Sequence, residues 1–191
     1  MGFLLPVFNA YDWLGRQIKS KVLFMCGGAV GALVLLSCKE VLYALLVEQI
    51  RLGAGGLYLE APVGMLDGEG NVLLKIADEM EEELGFRPNL EDLVSLSDLA
   101  NHERGFFPSV GGCDETIRLY YVCYEVDEDT LHKLDGRKTG LAKEGEYIRL
   151  TYRPFAELWK LTDSKILIAW ALFKELVLEK GKLVTHKPPA L

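Results

Sequence analysis

The densest group of chemically useful side chains is an acidic cluster within GMLDGEGNVLLKIADEMEEELGF, residues 64–86. It packs five carboxylates into six positions with no lysine or arginine among them: Asp78, Glu79, Glu81, Glu82 and Glu83. Like charges three and four residues apart repel each other on a helix. Carboxylate oxygens are the ligands that Mg²⁺ and Mn²⁺ prefer. The cluster therefore predicts a divalent-cation site, and a solvated acidic helix face is the alternative.

A helix over residues 72–84 would hold these carboxylates rigidly. Glu79, Glu82 and Glu83 then stand at i, i+3 and i+4 and share one face. An apolar stripe at helical spacing can pack on a sheet: Val72, Ile76, Met80 and Leu84. We predict that Glu79, Glu82 and Glu83 are metal ligands, and that Glu82 and Glu83 face solvent or metal rather than the core.

Composition limits the possible partners of this site. The chain has 191 residues, of which 50% are hydrophobic and 26% charged, so one domain with a substantial core is expected. Its formal net charge of −7 argues against a nucleic-acid partner, which usually requires a basic patch. An acidic protein can still bind a phosphorylated small molecule when a divalent cation mediates the contact.

Cysteines, histidines and the apolar N-terminal region suggest no further chemistry. Cys26, Cys38, Cys113 and Cys123 form no CxxC pair, so we expect free thiols in a reducing compartment. The three histidines lie in no recognisable triad. The apolar run 22–36 is shorter than the ~20 residues of a spanning helix. The N-terminus lacks the basic start and cleavage site of a signal peptide, so we expect a cytoplasmic protein without membrane attachment.

Strands and helices alternate irregularly along the chain. The expected strands are 31–37 and 41–49, forming a hairpin, followed by 57–61, 92–98, 116–126 and 146–152. The expected helices are 11–18, 72–84 closed by Gly85, 127–134 capped by Asp127, 154–160, and a last helix capped by Thr162 or Asp163 and closed by Gly181. This order predicts an α/β fold, a mixed β-sheet with helices on both faces.

The spacing around the acidic cluster resembles a Nudix box. That motif reads Gly, five residues, Glu, seven residues, Arg-Glu, an aliphatic residue, any residue, Glu-Glu, any residue, Gly and a hydrophobic residue. Seven of its nine specified positions match: Gly64, Glu79, Met80, Glu82, Glu83, Gly85 and Phe86. A motif this long is a specific signal.

Two box positions depart from the pattern. Gly70 stands where the family has its first glutamate, and Asp67 or Glu69 is a candidate replacement for that carboxylate. Asp78 stands where the family has an arginine that orients the catalytic carboxylates. Because Asp78 lies four residues before Glu82, repulsion is expected in place of attraction. The resemblance thus implies metal binding with reduced catalytic efficiency.

Three further segments resemble the nucleoside-diphosphate-sugar branch of Nudix hydrolases, which includes ADP-ribose and ADP-glucose pyrophosphatases. They are EQIR at 48–51, PSVGG at 108–112 and GLAKEGEYIRL at 140–150. The resemblance implies a Nudix domain over 29–181 with an α/β/α sandwich, and a homodimer. Residues 1–28 would then be an N-terminal extension involved in dimerisation, and 182–191 a flexible tail.

The resemblance implies hydrolysis of the pyrophosphate bond of an ADP-sugar, ADP-ribose or UDP-sugar. The products would be a nucleoside monophosphate and a sugar 1-phosphate, and the cofactor Mg²⁺ or Mn²⁺. Glu82 would be catalytic as well as a ligand, and Glu144 or Glu146 would serve as general base or as a further ligand. The alternatives are a catalytically impaired nucleotide-binding module and a Nudix enzyme acting on another diphosphate.

Substrate-binding residues are expected outside the box. Arg51 ends a strand and could bind a phosphate through its guanidinium, or it is an ordinary exposed arginine. Gly111 and Gly112 could leave their N–H groups open to a ligand, or they form a tight turn. Glu115 could accept a ribose hydroxyl.

Overall fold

The computed structural model describes residues 9–18, 23–66, 70–141, 143 and 145–189. Asp67, Glu69 and Glu144 lie outside the described residues, so the structure does not bear on the roles suggested for them. Among the described residues, no helix is both long and apolar enough to cross a membrane.

A mixed sheet forms the centre of the molecule. In chain order the strands are β1 Ala10–Tyr11, β2 Gln17–Ile18, β3 Gly28–Cys38, β4 Val41–Arg51, β5 Gly56–Glu60, β6 Val63–Met65, β7 Val94–Ser95, β8 Thr116–Glu125, β9 Lys138–Thr139 and β10 Ile148–Pro154. Within the described residues, eight of them form one sheet in the order β7-β8-β3-β4-β10-β9, with β5 paired to β4 and β6 paired to β3. β3 and β8 run parallel, and the other pairs are antiparallel.

Helices cover both faces of this sheet. They are α1 Val72–Leu84, α2 Leu96–Leu99, α3 Glu128–Leu134 and α4 Ser164–Phe173, and α4 continues as a π-helical turn, Lys174–Leu178. α1 and α3 bury apolar side chains in one core cluster, and α2 and α4 bury theirs in a second. Each fully buried Leu or Ile contributes about 1.5–3 kcal/mol. This confirms the expected α/β/α sandwich.

The predicted hairpin and the predicted helix 72–84 are confirmed. β3 is almost entirely buried, as its uninterrupted apolar run requires, and Lys39 and Glu40 turn into β4 with positive φ angles. The Asn71 side chain accepts a hydrogen bond of 3.0 Å from the Leu73 N–H at the start of α1. Gly85 ends the helix at φ +76°. Local signals at both ends therefore fix the helix that carries the acidic cluster.

Two predicted elements were wrong. The strand expected at 92–98 is reduced to β7, because the Ser95 hydroxyl accepts the Asp98 N–H at 3.0 Å and begins α2. The helix expected at 11–18 is a pair of short strands. There the Asp12 carboxylate accepts the Leu14 N–H and favours a turn.

The C-terminal segment lies against β8. His186 exchanges backbone hydrogen bonds of 2.9 Å with Cys123 and Glu125. Its imidazole Nδ1 lies 2.9 Å from the Asp92 carboxylate. The domain boundaries given above stay predictions.

Candidate active site

Glu79 of α1 packs over Gly64 of β6. A Cβ atom built on Gly64 would lie 2.0 Å from the carboxyl carbon of Glu79, which is far inside van der Waals contact. Lys75, one turn earlier, places its Nζ 2.6 Å from Glu79 Oε1. Glycine at position 64 is therefore what allows the Glu79 carboxylate to lie against the sheet.

Glu83 is buried, so it does not face solvent, and the expectation that it faces a metal stays a prediction. It is only 4% exposed, and it accepts a hydrogen bond of 3.2 Å from the Val63 N–H. Burial raises its pKa to about 8, with further contributions from the negative charges of Glu79 and Glu146. The Glu83 carboxyl is therefore shielded from water and lies within electrostatic range of two other acidic side chains.

The third predicted ligand, Glu82, lies at the end of α1 beside the loop before β10. Its side chain is exposed, as expected, and its backbone carbonyl accepts the Gly140 N–H at 3.2 Å. The Thr139 hydroxyl donates to the Glu83 carbonyl at 2.5 Å. These two bonds fasten the loop to the C-terminal end of α1.

The same loop brings Glu146 to the cluster. The Glu146 side chain is half-buried and accepts the Leu141 N–H at 3.4 Å, and its charge contributes to the raised pKa of Glu83. The sequence left Glu144 and Glu146 as alternatives. The structure places Glu146 near Glu83 and does not describe Glu144.

These carboxylates form an all-oxygen donor set. Glu79, Glu83 and Glu146 come from α1 and the β9–β10 loop and are close enough for their charges to interact. In the part of the chain described, Glu79, Glu82 and Glu83 do not bring three ligand atoms within 4.8 Å of one another. Their oxygens suit Mg²⁺ or Mn²⁺, but the side chains would have to converge to coordinate one ion together.

Arg51 binds a buried carboxylate, which the sequence did not suggest. Its guanidinium donates two hydrogen bonds to Glu60, of 2.6 and 2.9 Å. Lys165 Nζ also contacts Glu60 at 3.3 Å and Asp163 at 2.7 Å. Burial by itself would raise the pKa of Glu60, but the Arg51 hydrogen bonds and the Lys165 charge lower it overall. Phosphate binding by Arg51 would have to compete with this bidentate pair.

This network adjoins the acidic cluster. The positive charge of Arg51 opposes the raised pKa of Glu83, so the two side chains interact. Burial raises the pKa of Glu115, and the Lys165 charge opposes that shift. Glu115 therefore lies within electrostatic range of the same network. The sequence did not identify Glu60 and Lys165 as site residues. Glu60 ends a strand and Lys165 lies in the first turn of a helix, and single charged residues at such positions are usually solvent-exposed.

Gly111 and Gly112 lie in a turn before β8. The Gly112 N–H donates to the Ser109 carbonyl at 3.3 Å, and the Gly112 carbonyl accepts the Phe24 N–H at 2.9 Å. Gly111 is exposed, with open space where a Cβ would lie. The turn interpretation thus accounts for Gly112, whose N–H is engaged.

The expected repulsion between Asp78 and Glu82 is offset by a residue beyond the helix. Arg87 places its NH1 2.6 Å from Asp78 and 2.8 Å from Glu81, with all three side chains exposed. Surface pairs of this kind are screened by solvent and contribute little to stability. Arg87 was missed because it follows Gly85, where the chain has already left the helix.

A groove of about 320 Å³ lies next to the β9–β10 loop. Its lining includes Ile50, Leu57, Lys138, Tyr147 and Arg149. Tyr147 follows Glu146 directly and is 75% exposed. Glu48 also lines the groove and pairs with Arg149, so the groove combines apolar surface with one ion pair and the Lys138 ammonium.

Removing one charge from the buried network should destabilise the fold. Glu60→Gln leaves the ammonium of Lys165 and the Arg51 guanidinium with a weaker acceptor, so we expect a loss of about 2–3 kcal/mol in the free energy of unfolding. Urea denaturation at pH 7 measures it. The control is Glu157→Gln, whose exposed pair with Lys160 is 3.1 Å long and should change stability by less than ~0.5 kcal/mol. Equal effects in both variants would contradict the network's structural role.

Comparisons with known proteins give one sequence relative and one similar fold. No family model matches the chain. The chain is 36% identical over 178 residues to Nudix hydrolase 14, chloroplastic, of Arabidopsis thaliana. That match covers 91% of this chain and 58% of the relative, so the chain spans less than two thirds of the relative's length. A crystal structure of an ADP compounds hydrolase superposes with a TM-score of 0.62 at 14% identity, covering 96% of this chain and 95% of the other.

The structural match shows the fold, and the sequence match covers the acidic helix together with the segments on either side of it. The box glutamates lie on one capped helix, with Glu79 packed on Gly64 and Glu83 bonded to the strand beside it. The chain is therefore similar in sequence to a Nudix hydrolase over 91% of its length, and its fold is similar to that of an ADP compounds hydrolase.

Proposed function

We propose that the chain hydrolyses the pyrophosphate bond of a nucleoside diphosphate sugar with the help of Mg²⁺ or Mn²⁺. One observation carries the proposal. The charges of Glu79 and Glu146 both raise the pKa of the buried Glu83, so an acid of α1 and an acid of the loop before β10 both lie within electrostatic range of Glu83. A fold gains nothing from such mutual repulsion, whereas a divalent cation would turn it into attraction.

The donor set fits a hard divalent cation. The ligands would be Glu79, Glu82 and Glu83, with Glu146 or Glu144 as a further one. When bound, such an ion neutralises phosphate oxygens, polarises phosphorus and acidifies a water molecule. Because Glu83 has a pKa of about 8 without metal, its ligand oxygen carries a proton at neutral pH that cation binding would release.

The protein's own groups position the reactants. The loop fastened by Thr139 and Gly140 holds Glu146 beside the cluster, where it can accept the proton of the attacking water. Glu144 stays the alternative base. The Arg51–Glu60 ion pair links β4 to β5. Arg51 also lies within electrostatic range of Glu83. The leaving group is a phosphate, so no strong acid is needed to expel it.

The substrate class rests on sequence likeness and on the groove. The segments 48–51, 108–112 and 140–150 resemble nucleoside-diphosphate-sugar pyrophosphatases. The groove lined by Tyr147 offers apolar surface to a nucleobase, and Lys138 and the Arg149–Glu48 ion pair also line it. The superposed structure is of a protein named as an ADP compounds hydrolase, which favours an adenine nucleotide. We also propose a homodimer, on the family resemblance; the exposed side chain of Leu52 is compatible with it.

A nucleotide-binding module without catalysis is the second candidate. Gly70 replaces the first glutamate of the box, and the space where its Cβ would lie is open. No carboxylate of residue 70 is therefore available to the site. This alternative predicts binding of the same nucleotides without turnover.

Product analysis on a panel of ADP- and UDP-sugars, with Mg²⁺ and with Mn²⁺, tests the proposal. We expect a nucleoside monophosphate and a sugar 1-phosphate. Glu146→Gln should lower kcat by roughly 10²- to 10⁴-fold with little change in KM if Glu146 is the base. Glu144→Gln is the paired variant, and the same pattern there would move the role to Glu144. Nucleotide binding in calorimetry without any product would favour the binding module.

A further inference from the structure

Two cysteine sulfurs meet outside the proposed active site. Cys26 Sγ lies 3.0 Å from Cys113 Sγ, although the two residues are 87 positions apart in the chain. Cys26 precedes β3, and Cys113 lies in the loop that leads into β8. Both are free and partly exposed, whereas Cys38 and Cys123 are buried within strands.

The backbones around these sulfurs are already aligned. The Phe24 N–H donates to the Gly112 carbonyl at 2.9 Å. The Asp114 carboxylate accepts the N–H groups of Cys26 at 2.8 Å and Gly27 at 3.2 Å. The two segments are therefore held next to each other by bonds that do not involve sulfur, and the thiols face each other as a consequence.

A metal ion fits this place poorly. Cys26, Cys113 and Asp114 bring three ligand atoms within 4.8 Å of one another. Two thiolates on one tetrahedral zinc, each about 2.3 Å from the ion, would stand roughly 3.8 Å apart. The observed 3.0 Å is shorter, and Asp114 Oδ1 already accepts two N–H groups.

A nucleophilic role for Cys26 is also disfavoured. Burial raises its pKa to about 12, with further contributions from the hydrogen bond and charge of Cys113 and from the carboxylates of Glu115 and Asp114. Such a thiol is protonated at neutral pH and reacts poorly with an electrophilic substrate.

We propose that Cys26 and Cys113 form a reversible disulfide when they meet an oxidant of the disulfide class. The small thiolate fraction of one cysteine, which grows as the pH rises, attacks the oxidant's S–S bond, giving a mixed disulfide and expelling one thiolate. The other cysteine loses its proton and attacks the protein sulfur of that mixed disulfide, expelling the second thiolate. The protein loses two hydrogens and two electrons to the oxidant, which becomes two thiols.

The bond would tie the segment entering β3 to the loop entering β8. Cys113 is two residues from Glu115, and the Glu115 N–H donates to Cys113 Sγ at 3.3 Å. The disulfide would therefore restrain the end of the loop that carries Glu115, whose carboxylate interacts electrostatically with Lys165. It closes a long loop, which is the arrangement in which a crosslink restricts the unfolded chain most.

Oxidation with oxidised glutathione followed by alkylation and tryptic mapping tests the inference. We expect peptide 22–39 to be crosslinked to peptide 105–118 within one chain, and dithiothreitol to reverse the link. Since peptide 22–39 also contains Cys38, the variants decide the assignment. Cys38→Ser should keep the crosslink, whereas Cys26→Ser and Cys113→Ser should each lose it.

Thermal unfolding gives an independent readout. The oxidised wild type should melt roughly 5 °C or more above the reduced protein, and Cys26→Ser should show no such difference. A stable mixed disulfide with glutathione, a crosslink between two chains, or a crosslink that survives in Cys26→Ser would each overturn the inference. None of these measurements depends on hydrolytic activity, so the inference can fail or succeed separately from the proposed function.

Discussion

Glu83→Gln is expected to remove most of the turnover while making the metal-free protein more stable. If Glu83 holds the proposed cation, the variant loses a ligand oxygen of an ion that would supply several kcal/mol of transition-state stabilisation, so kcat should fall roughly 10²- to 10³-fold. At the same time a neutral amide replaces a carboxyl that is 4% exposed and faces Glu79 and Glu146. The two effects have opposite signs because the same carboxyl would bind the proposed cation, whereas without a cation it is buried near like charges.

The gain in stability should depend on pH. The folded-state pKa of Glu83, about 8, lies above its ordinary value of 4.5. Below pH 4.5 the carboxyl is protonated in both the folded and the unfolded chain. Between pH 4.5 and 8 only the unfolded chain releases the proton, so the stability that the bound proton gives is progressively lost. Glu83→Gln has no such loss, and its advantage should reach the order of 2–4 kcal/mol above pH 8.

Melting curves in EDTA from pH 5 to pH 9 measure this difference, beside turnover at saturating substrate. Glu81→Gln is the matched control, since Glu81 lies on the same helix and its exposed side chain pairs with Arg87. Mg²⁺ should raise the melting temperature of the wild type and of the control, but far less that of Glu83→Gln. Parallel pH profiles for wild type and Glu83→Gln would contradict the raised pKa, and unchanged turnover would contradict the metal site.

Helix α1 was predictable from sequence because its determinants are local. The Asn71 cap, the apolar stripe and Gly85 all act within a few residues, and they agree with one another. The β3–β4 hairpin was predictable for the same reason. The strand expected at 92–98 failed because one Ser95 hydroxyl bond begins a helix there, and a period-two pattern does not reveal such a bond.

The electrostatic surroundings of the site were not predictable in this way. Glu60 meets Lys165 across 105 positions of chain, and no spacing rule connects the two. The sequence placed Glu83 on the acidic face, but its burial depends on how close β6 comes to α1. The ion pair between Arg87 and Asp78 could not be predicted either, although only nine residues separate the two. Helix periodicity ends at Gly85, and Arg87 lies beyond it.

The approach of β6 to α1 gives the second large effect, at Gly64. Gly64→Ala should lower turnover roughly 100-fold, because the new methyl group would occupy the place of the Glu79 carboxyl, 2.0 Å from its carbon. Overpacking should cost about 1–3 kcal/mol of stability. Turnover and Mn²⁺ affinity are the measurements. Gly53→Ala is the control, since its Cβ meets nothing within 4 Å and Gly53 does not have a positive φ.

A double-mutant cycle separates displacement of Glu79 from a general disturbance of the fold. If Gly64→Ala acts by displacing the Glu79 carboxylate, it should cost much less turnover in a Glu79→Gln background, where that ligand is already lost. If it acts by loosening the sheet, its cost should be the same in both backgrounds. Additive effects would therefore refute the displacement. A strong coupling would show that a missing Cβ on one strand determines where a ligand of the neighbouring helix can lie.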